Sequence, residues 1–239
     1  MIEDSLPIGG LSSFAAVILA FLEALCEVNG IHLEPQGLID TTFDAEKNYM
    51  GVNVGTLDQS CEVLSRKNHL LFLDCKDNHY ELIPASPAIK PYQIAVFFSG
   101  LEHSLAGSKY NMRVGELRSG VYALQASVGL DYGKFNEVNA RSVNFAIYQA
   151  YKDRLPVQWA RCCEHWYTEF KRVEAGAEAW QRGALEEYVR LSVESGWSSI
   201  HNWESGVPKQ IKFYEIMRET SGIYGGRLVA LISRAVVWR

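Results

Sequence analysis

Residues 45–60 read AEKNYMGVNVGTLDQS, and two acids set around a Gly-x-x-x-Gly element in this stretch govern how the rest of the chain is understood. Glu46 and Asp58 flank Gly51 and Gly55. A carboxylate pair of this kind can divide the labour of a phosphoryl transfer, one acid binding a divalent cation and the other taking a proton from a hydroxyl. A blander origin gives the same pattern: Glu46 as a solvated helix residue and Asp58 as a helix N-cap.

Upstream, Leu6-Pro7-Ile8-Gly9-Gly10-Leu11-Ser12-Ser13 runs straight into an apolar stretch. There Phe14, Val17, Ile18, Phe21, Leu22 and Leu25 recur at helical spacing, so a buried core helix is expected, capped by Ser12 or Ser13 and ended by Gly30. Glycines before a helix N-terminus let backbone N–H groups converge on an anion, and a serine hydroxyl there can reach a phosphate-bound cation. A capped core helix after a Gly-Gly turn would look the same. The stretch is too short to span a bilayer, carries Glu23, and follows an acidic Met1-Ile2-Glu3-Asp4 leader, which argues against a membrane span or a secretory signal.

Downstream, helices are expected over residues 36–49 and from about Thr56 to Ser65. His69–Cys75 and Tyr80–Pro84 form a hairpin across the polar turn Lys76–His79. Pro84, Pro87 and Pro91 mark a linker, dividing the chain into residues 1–88 and 89–239. Ile94–Phe98 reads as a strand, residues 112–220 as mostly helical, and Leu228–Trp238 as a final strand. The class is α+β with helices in the majority.

A net charge of −5 gives no general attraction to nucleic acid or anionic membrane. Five cysteines without metal-ligand spacing, two of them adjacent, do not suggest a disulfide framework and fit a reduced, cytoplasmic setting. The six histidines are scattered, the Cys162/Cys163–His165 neighbours are a poor nucleophilic dyad, and the six tryptophans read as core packing.

Taken together, LPIGGLSSFAAV, the Glu46–Ser60 stretch and LLFLDCKD resemble the GHMP sugar kinases of the galactokinase/galacturonokinase group. Those proteins carry a phosphate loop Pro-x-Gly-Gly-Gly-Leu-Ser-Ser-Ser-Ala-Ala, and the galacturonokinases carry Glu-Asn-Glu-Tyr-x-Gly-x-x-x-Gly-Ile-Leu-Asp-Gln-Ser. The segment SGWSSIHNWESG, residues 195–206, is similar to the galacturonokinase form Ser-Ile-x-Asn-Tyr-Glu-Cys-Gly. The resemblance implies a ribosomal-protein-S5-like N-terminal domain followed by a ferredoxin-like C-terminal domain. It implies that Pro7, Gly9, Gly10, Leu11, Ser12 and Ser13 cradle the phosphates of ATP. By the same resemblance Ser13 and Glu46 hold Mg²⁺, Asp58 is the catalytic base, and Gly55, Asp58 and Tyr110 face the sugar.

The sequence departs from the family at four points. The loop has one glycine fewer, and Phe14 replaces the family's last serine, a Mg²⁺ ligand. After Gly225-Gly226-Arg227 the family's second glycine-rich loop, Phe-Ser-Gly-Ala-Gly-Phe-Arg-Gly, gives way to LVALISRAVVWR. The family's leading Gly-Glu-His-x-Asp-Tyr has no counterpart, so exposed sheet edges and apolar surface are expected. The implied activity is ATP-dependent phosphorylation of a sugar at C1, D-galacturonate first, galactose or arabinose next. The alternative is an inactive remnant that binds sugar or protein. A small-molecule sugar or sugar acid is the expected partner, without nucleic acid or membrane, and the complete protein is expected to be a monomer.

Overall fold

A computed structural model describes residues 13–49, 55–98, 109–131, 133–229 and 233–238. The chain opens with α1 (Ser13–Asn29), stopped by Gly30 at φ 65°, where Ile31 N–H bonds back to the Cys26 carbonyl at 2.9 Å. Helix α2 (Pro35–Asp44) starts with proline in its first turn and widens into a π-helical turn, Ala45–Tyr49. The expected helix over 36–49 is therefore two geometries in series. Helix α3 (Leu57–Leu64) follows, then the antiparallel hairpin β1 (His69–Asp74) and β2 (His79–Pro84), with Leu71 opposite Leu82.

After the proline-bearing connection come β3 (Gln93–Phe98), α4 (Tyr110–Ser127), α5 (Phe145–Tyr151), α6 (Val157–Arg182), α7 (Leu185–His201), α8 (Pro208–Glu219), β4 (Ile223–Val229) and β5 (Ser233–Trp238). The expected single strand over 228–238 is instead two strands. They pair antiparallel, and β3 joins the outer side of β5 to give the order β3-β5-β4.

Three apolar clusters hold these elements. Val121 and Leu124 of α4, Tyr148 of α5 and Cys163 and Tyr167 of α6 form the largest, with Tyr148 and Tyr167 stacked at 4.7 Å. Tyr167 donates to the Ala140 and Val143 carbonyls, so its ring enters the core with its hydroxyl satisfied. A second cluster packs Ile200, Tyr214, Met217 and Leu228 under β4. Strand β4 lies so close on α7 that a Cβ at Gly225 would sit 2.4 Å from Val193 Cγ2. The third joins Ile83 of the hairpin to Ala177 and Trp180 of α6, with Trp180 Nε1–H donating to the Ile83 carbonyl at 3.3 Å.

The N-terminal helix departs from expectation. It buries Ala15 and Leu19, but Phe14, Val17, Phe21, Leu25 and Val28 form an exposed second apolar face. Among the described residues, α2 and α3 cover one side of α1 only, which leaves Phe21 69% exposed. Edge strand β3 likewise exposes Ile94 and Val96. Because Phe21 makes so little of the core, Phe21→Gln should change folding stability by less than ~0.5 kcal/mol in urea unfolding; a loss above ~2 kcal/mol would mean that this face is covered in solution.

Candidate active site

The π-helical turn and helix α3 carry three carboxylates whose charges act on one another. Glu46 is buried at 6% relative exposure, and its Oε2 accepts from Gln59 Nε2 at 2.5 Å. Its pKa is raised by burial and then by the charge of Asp58, against the lowering pull of the Gln59 bond. Glu46 is thus not a solvated helix residue. Asp58 is exposed in the first turn of α3, and Thr56, not Asp58, occupies the N-cap position. Thr56 Oγ1 instead donates to Asn78 Oδ1 at 3.2 Å, pinning the start of α3 to the hairpin turn.

Glu62 stands one turn beyond Asp58 on α3, a position sequence reasoning passed over. Its carboxyl is pushed up to about 7, first by burial, then by the charges of Asp58 and Glu46; a hydrogen bond from the Ala16 N–H at the head of α1 acts the other way. The i, i+4 spacing from Asp58 was the available signal. A carboxyl raised above its ordinary 4.5 stabilises the fold fully below that value and loses the contribution as pH rises through about 7. His165, lowered by burial, acts in the opposite sense as pH falls below 6.5. The diagnostic is therefore the difference between variants. From about pH 5 to pH 8, wild type should lose more thermal stability than Glu62→Gln does. Parallel curves would show that Glu62 titrates normally.

Among the described residues, Glu62 Oε2 and Gln59 Oε1 are buried acceptors without a hydrogen-bond partner. Orphaned oxygens beside several uncompensated acids suit a hard cation. Among the described residues, no group of three or more His, Cys, Asp or Glu side chains could hold a metal unaided. Mg²⁺ carried on a nucleotide does not require one, since it takes one or two carboxylates together with phosphate oxygens and water.

Tyr110 opens α4 rather than lying in a loop. Its pKa is raised by desolvation and then by the charge of Asp58. Its ring stands 6.5 Å from that of Trp203 at 57°. Gly55 borders the cluster, exposed, with open space around its α-carbon. Ser13 is the first residue of α1, and Phe14 beside it is about half exposed. Pro7, Gly9, Gly10, Leu11 and Ser12 lie outside the described residues, as do Met50–Val54. The Cys162 and Cys163 thiols are buried and each is pushed up to about 12, while His165 Nδ1 pairs with Ser198 Oγ at 3.0 Å, so no thiol dyad forms. No helix among the described residues is long and apolar enough to cross a membrane.

A family model described as GHMP kinases N terminal domain matches residues 1–66, the stretch that carries Glu46, Asp58 and Glu62. Residues 1–66 are thus similar to the N-terminal domain of the GHMP kinases. Over 226 residues it is 37% identical to a galacturonokinase of Arabidopsis thaliana, an alignment covering 94% of this chain and 53% of that one. A galactokinase of Thermosipho africanus is 28% identical over 229 residues, 95% of this chain and 60% of the relative. The crystal structure of Lactococcus lactis galactokinase complexed with galactose superposes with a TM-score of 0.81 at 23% identity, over 97% of this chain and 58% of that one. The galactokinase-like GHMP fold is thereby established, and the chain spans a little over half the length of these relatives.

Proposed function

We propose that this GHMP-domain chain phosphorylates the C1 hydroxyl of a sugar with ATP as donor, D-galacturonate being the first candidate acceptor and galactose and arabinose the next. The observation that carries the reading is that the charge of Asp58 acts on both Tyr110 and the buried Glu46. Asp58 is exposed at the head of α3, where a hydroxyl can approach its carboxylate. It takes the C1 proton as the sugar oxygen bonds to the γ-phosphorus and the bond to ADP breaks. Tyr110 walls the sugar, and Gly55 leaves its side of the pocket open. Glu46, with Ser13 and the orphaned Glu62 oxygen, is the set toward which Mg²⁺ would be drawn; when bound, that cation neutralises charge on the phosphates. The loop Pro7–Ser13 would supply phosphate-facing N–H groups at the α1 N-terminus. Residues 1–88 would then be the N-terminal GHMP domain and 89–239 the C-terminal one. Galacturonate ranks first because the similarity to the galacturonokinase exceeds that to the galactokinases.

A second reading, sugar binding without transfer, is favoured by Phe14. A phenyl ring in the first turn of α1 offers no oxygen to a cation. An assay of ADP release with each of the three sugars separates the two. Turnover dependent on a divalent cation and on one of these sugars supports the kinase. Sugar binding without ADP release would select the second reading.

A further inference from the structure

The segment over residues 195–206 meets Tyr110 through Trp203, and the next residue is conformationally odd. Glu204 has φ 54°, a left-handed conformation that a glutamate adopts only when its surroundings hold it there. The backbone closes across it at the end of α7, Ser205 N–H bonding to the Ser199 carbonyl at 2.8 Å, and the Glu204 carboxylate is gripped as well. Arg113, 4% exposed and three residues after Tyr110 on α4, donates to Glu204 Oε2 through Nη2 and to Glu116 Oε2 through Nη1 at 2.5 Å. Arg161 of α6 reaches Glu204 Oε1 at 3.4 Å. The Gln158 carboxamide, turned so that both its groups pair, donates to Glu204 Oε1 at 3.1 Å and accepts from Arg113 Nη1 at 2.6 Å. One carboxylate thus ties the end of α7 to α4 and α6.

The consequence falls on Trp203. Its backbone N–H bonds to the Ser198 carbonyl at 3.1 Å, and its indole neighbours both Tyr110 and His165, with ring centroids 6.5 and 5.3 Å away. We infer that Glu204 is a positioning residue: clamped by Arg113 and Arg161, it holds the Trp203 indole against Tyr110 and so fixes the ring that walls the sugar. The inference rests on the reading of Tyr110 as a sugar-pocket residue. A left-handed position would suit glycine better, so a glutamate there is accounted for by what its side chain grips.

The test uses the full chain labelled with 3-fluorotyrosine, in which Tyr110→Phe identifies the Tyr110 fluorine signal among the 12 tyrosines. Glu204→Gly keeps the backbone conformation and removes the clamp; Trp203→Ala removes the wedge and Trp203→Phe retains a ring. The Tyr110 signal should shift or change width in Glu204→Gly and Trp203→Ala and return toward wild type in Trp203→Phe, while signals from the Tyr148–Tyr167 core stay in place. Calorimetric titration with D-galacturonate and D-galactose should show Trp203→Ala weakening binding about fivefold, as loss of one aromatic contact implies, with Trp203→Phe within about twofold. A Tyr110 signal unmoved in Glu204→Gly overturns the inference, as does a change spread equally over all tyrosines, the mark of general loosening. If wild type binds neither of these sugars nor arabinose, the kinase reading falls, and the fluorine comparison still decides the role of Glu204.

Discussion

Asp58→Asn is expected to lower the rate of sugar 1-phosphate formation by about 10²–10⁴-fold, the usual worth of a positioned general base, while changing sugar affinity far less. Asparagine keeps the shape of the side chain at the head of α3 but cannot take the C1 proton. The neighbourhood provides an internal control. Asp58 contributes to the upward shifts at Glu46, Glu62 and Tyr110, so removing its charge should bring all three back toward ordinary values. Titration of Glu62 by carboxyl-carbon NMR reports this directly. A large loss of turnover with a lowered Glu62 pKa and intact sugar binding would match the assigned role. Unchanged turnover would remove Asp58 from the chemistry.

The largest loss of stability is expected from Leu124→Ala. Leu124 is fully buried in the cluster that unites α4, α5 and α6. Its neighbours include the stacked Tyr148–Tyr167 pair, anchored by two carbonyl hydrogen bonds and slow to collapse into a void. Truncation should therefore cost ~2–5 kcal/mol. For a chain of this size that corresponds to a fall in the unfolding midpoint of roughly 5–15 °C. A fall below about 2 °C would mean that this cluster is not a cooperative part of the fold.

Much of this architecture was legible before any coordinates. The hairpin of residues 69–84 follows from two apolar runs around a polar turn, and Gly30 ends α1 as a glycine in the left-handed region should. Glu46 and Asp58 stood out through the resemblance to the sugar-kinase motif, because their spacing alone fits a solvated helix residue and an N-cap as well. The misreadings have physical reasons. Periodicity identified α1 as a helix but could not count how many of its faces find a partner, and Phe14, Val17 and Phe21 remain open. Val- and Ile-rich sequence predicted strand over residues 228–238 but not the break into β4 and β5, which depends on pairing. Glu62 and Trp203 were not picked out as site residues because their importance comes from contacts with α1 and α4, distant in sequence. The buried face of Glu46 arises from a π-helical turn that no 3.6-residue pattern announces.

The central claim is that the Glu46–Asp58–Tyr110 cluster transfers phosphate to a sugar's C1 oxygen. Phosphorus NMR of the folded chain incubated with ATP, Mg²⁺ and D-galacturonate, galactose or arabinose tests it most directly. The expected result is a sugar 1-phosphate resonance that grows as ADP accumulates and is lost in Asp58→Asn. No sugar phosphate from folded wild-type protein with any of the three, or equal formation by Asp58→Asn, would contradict it.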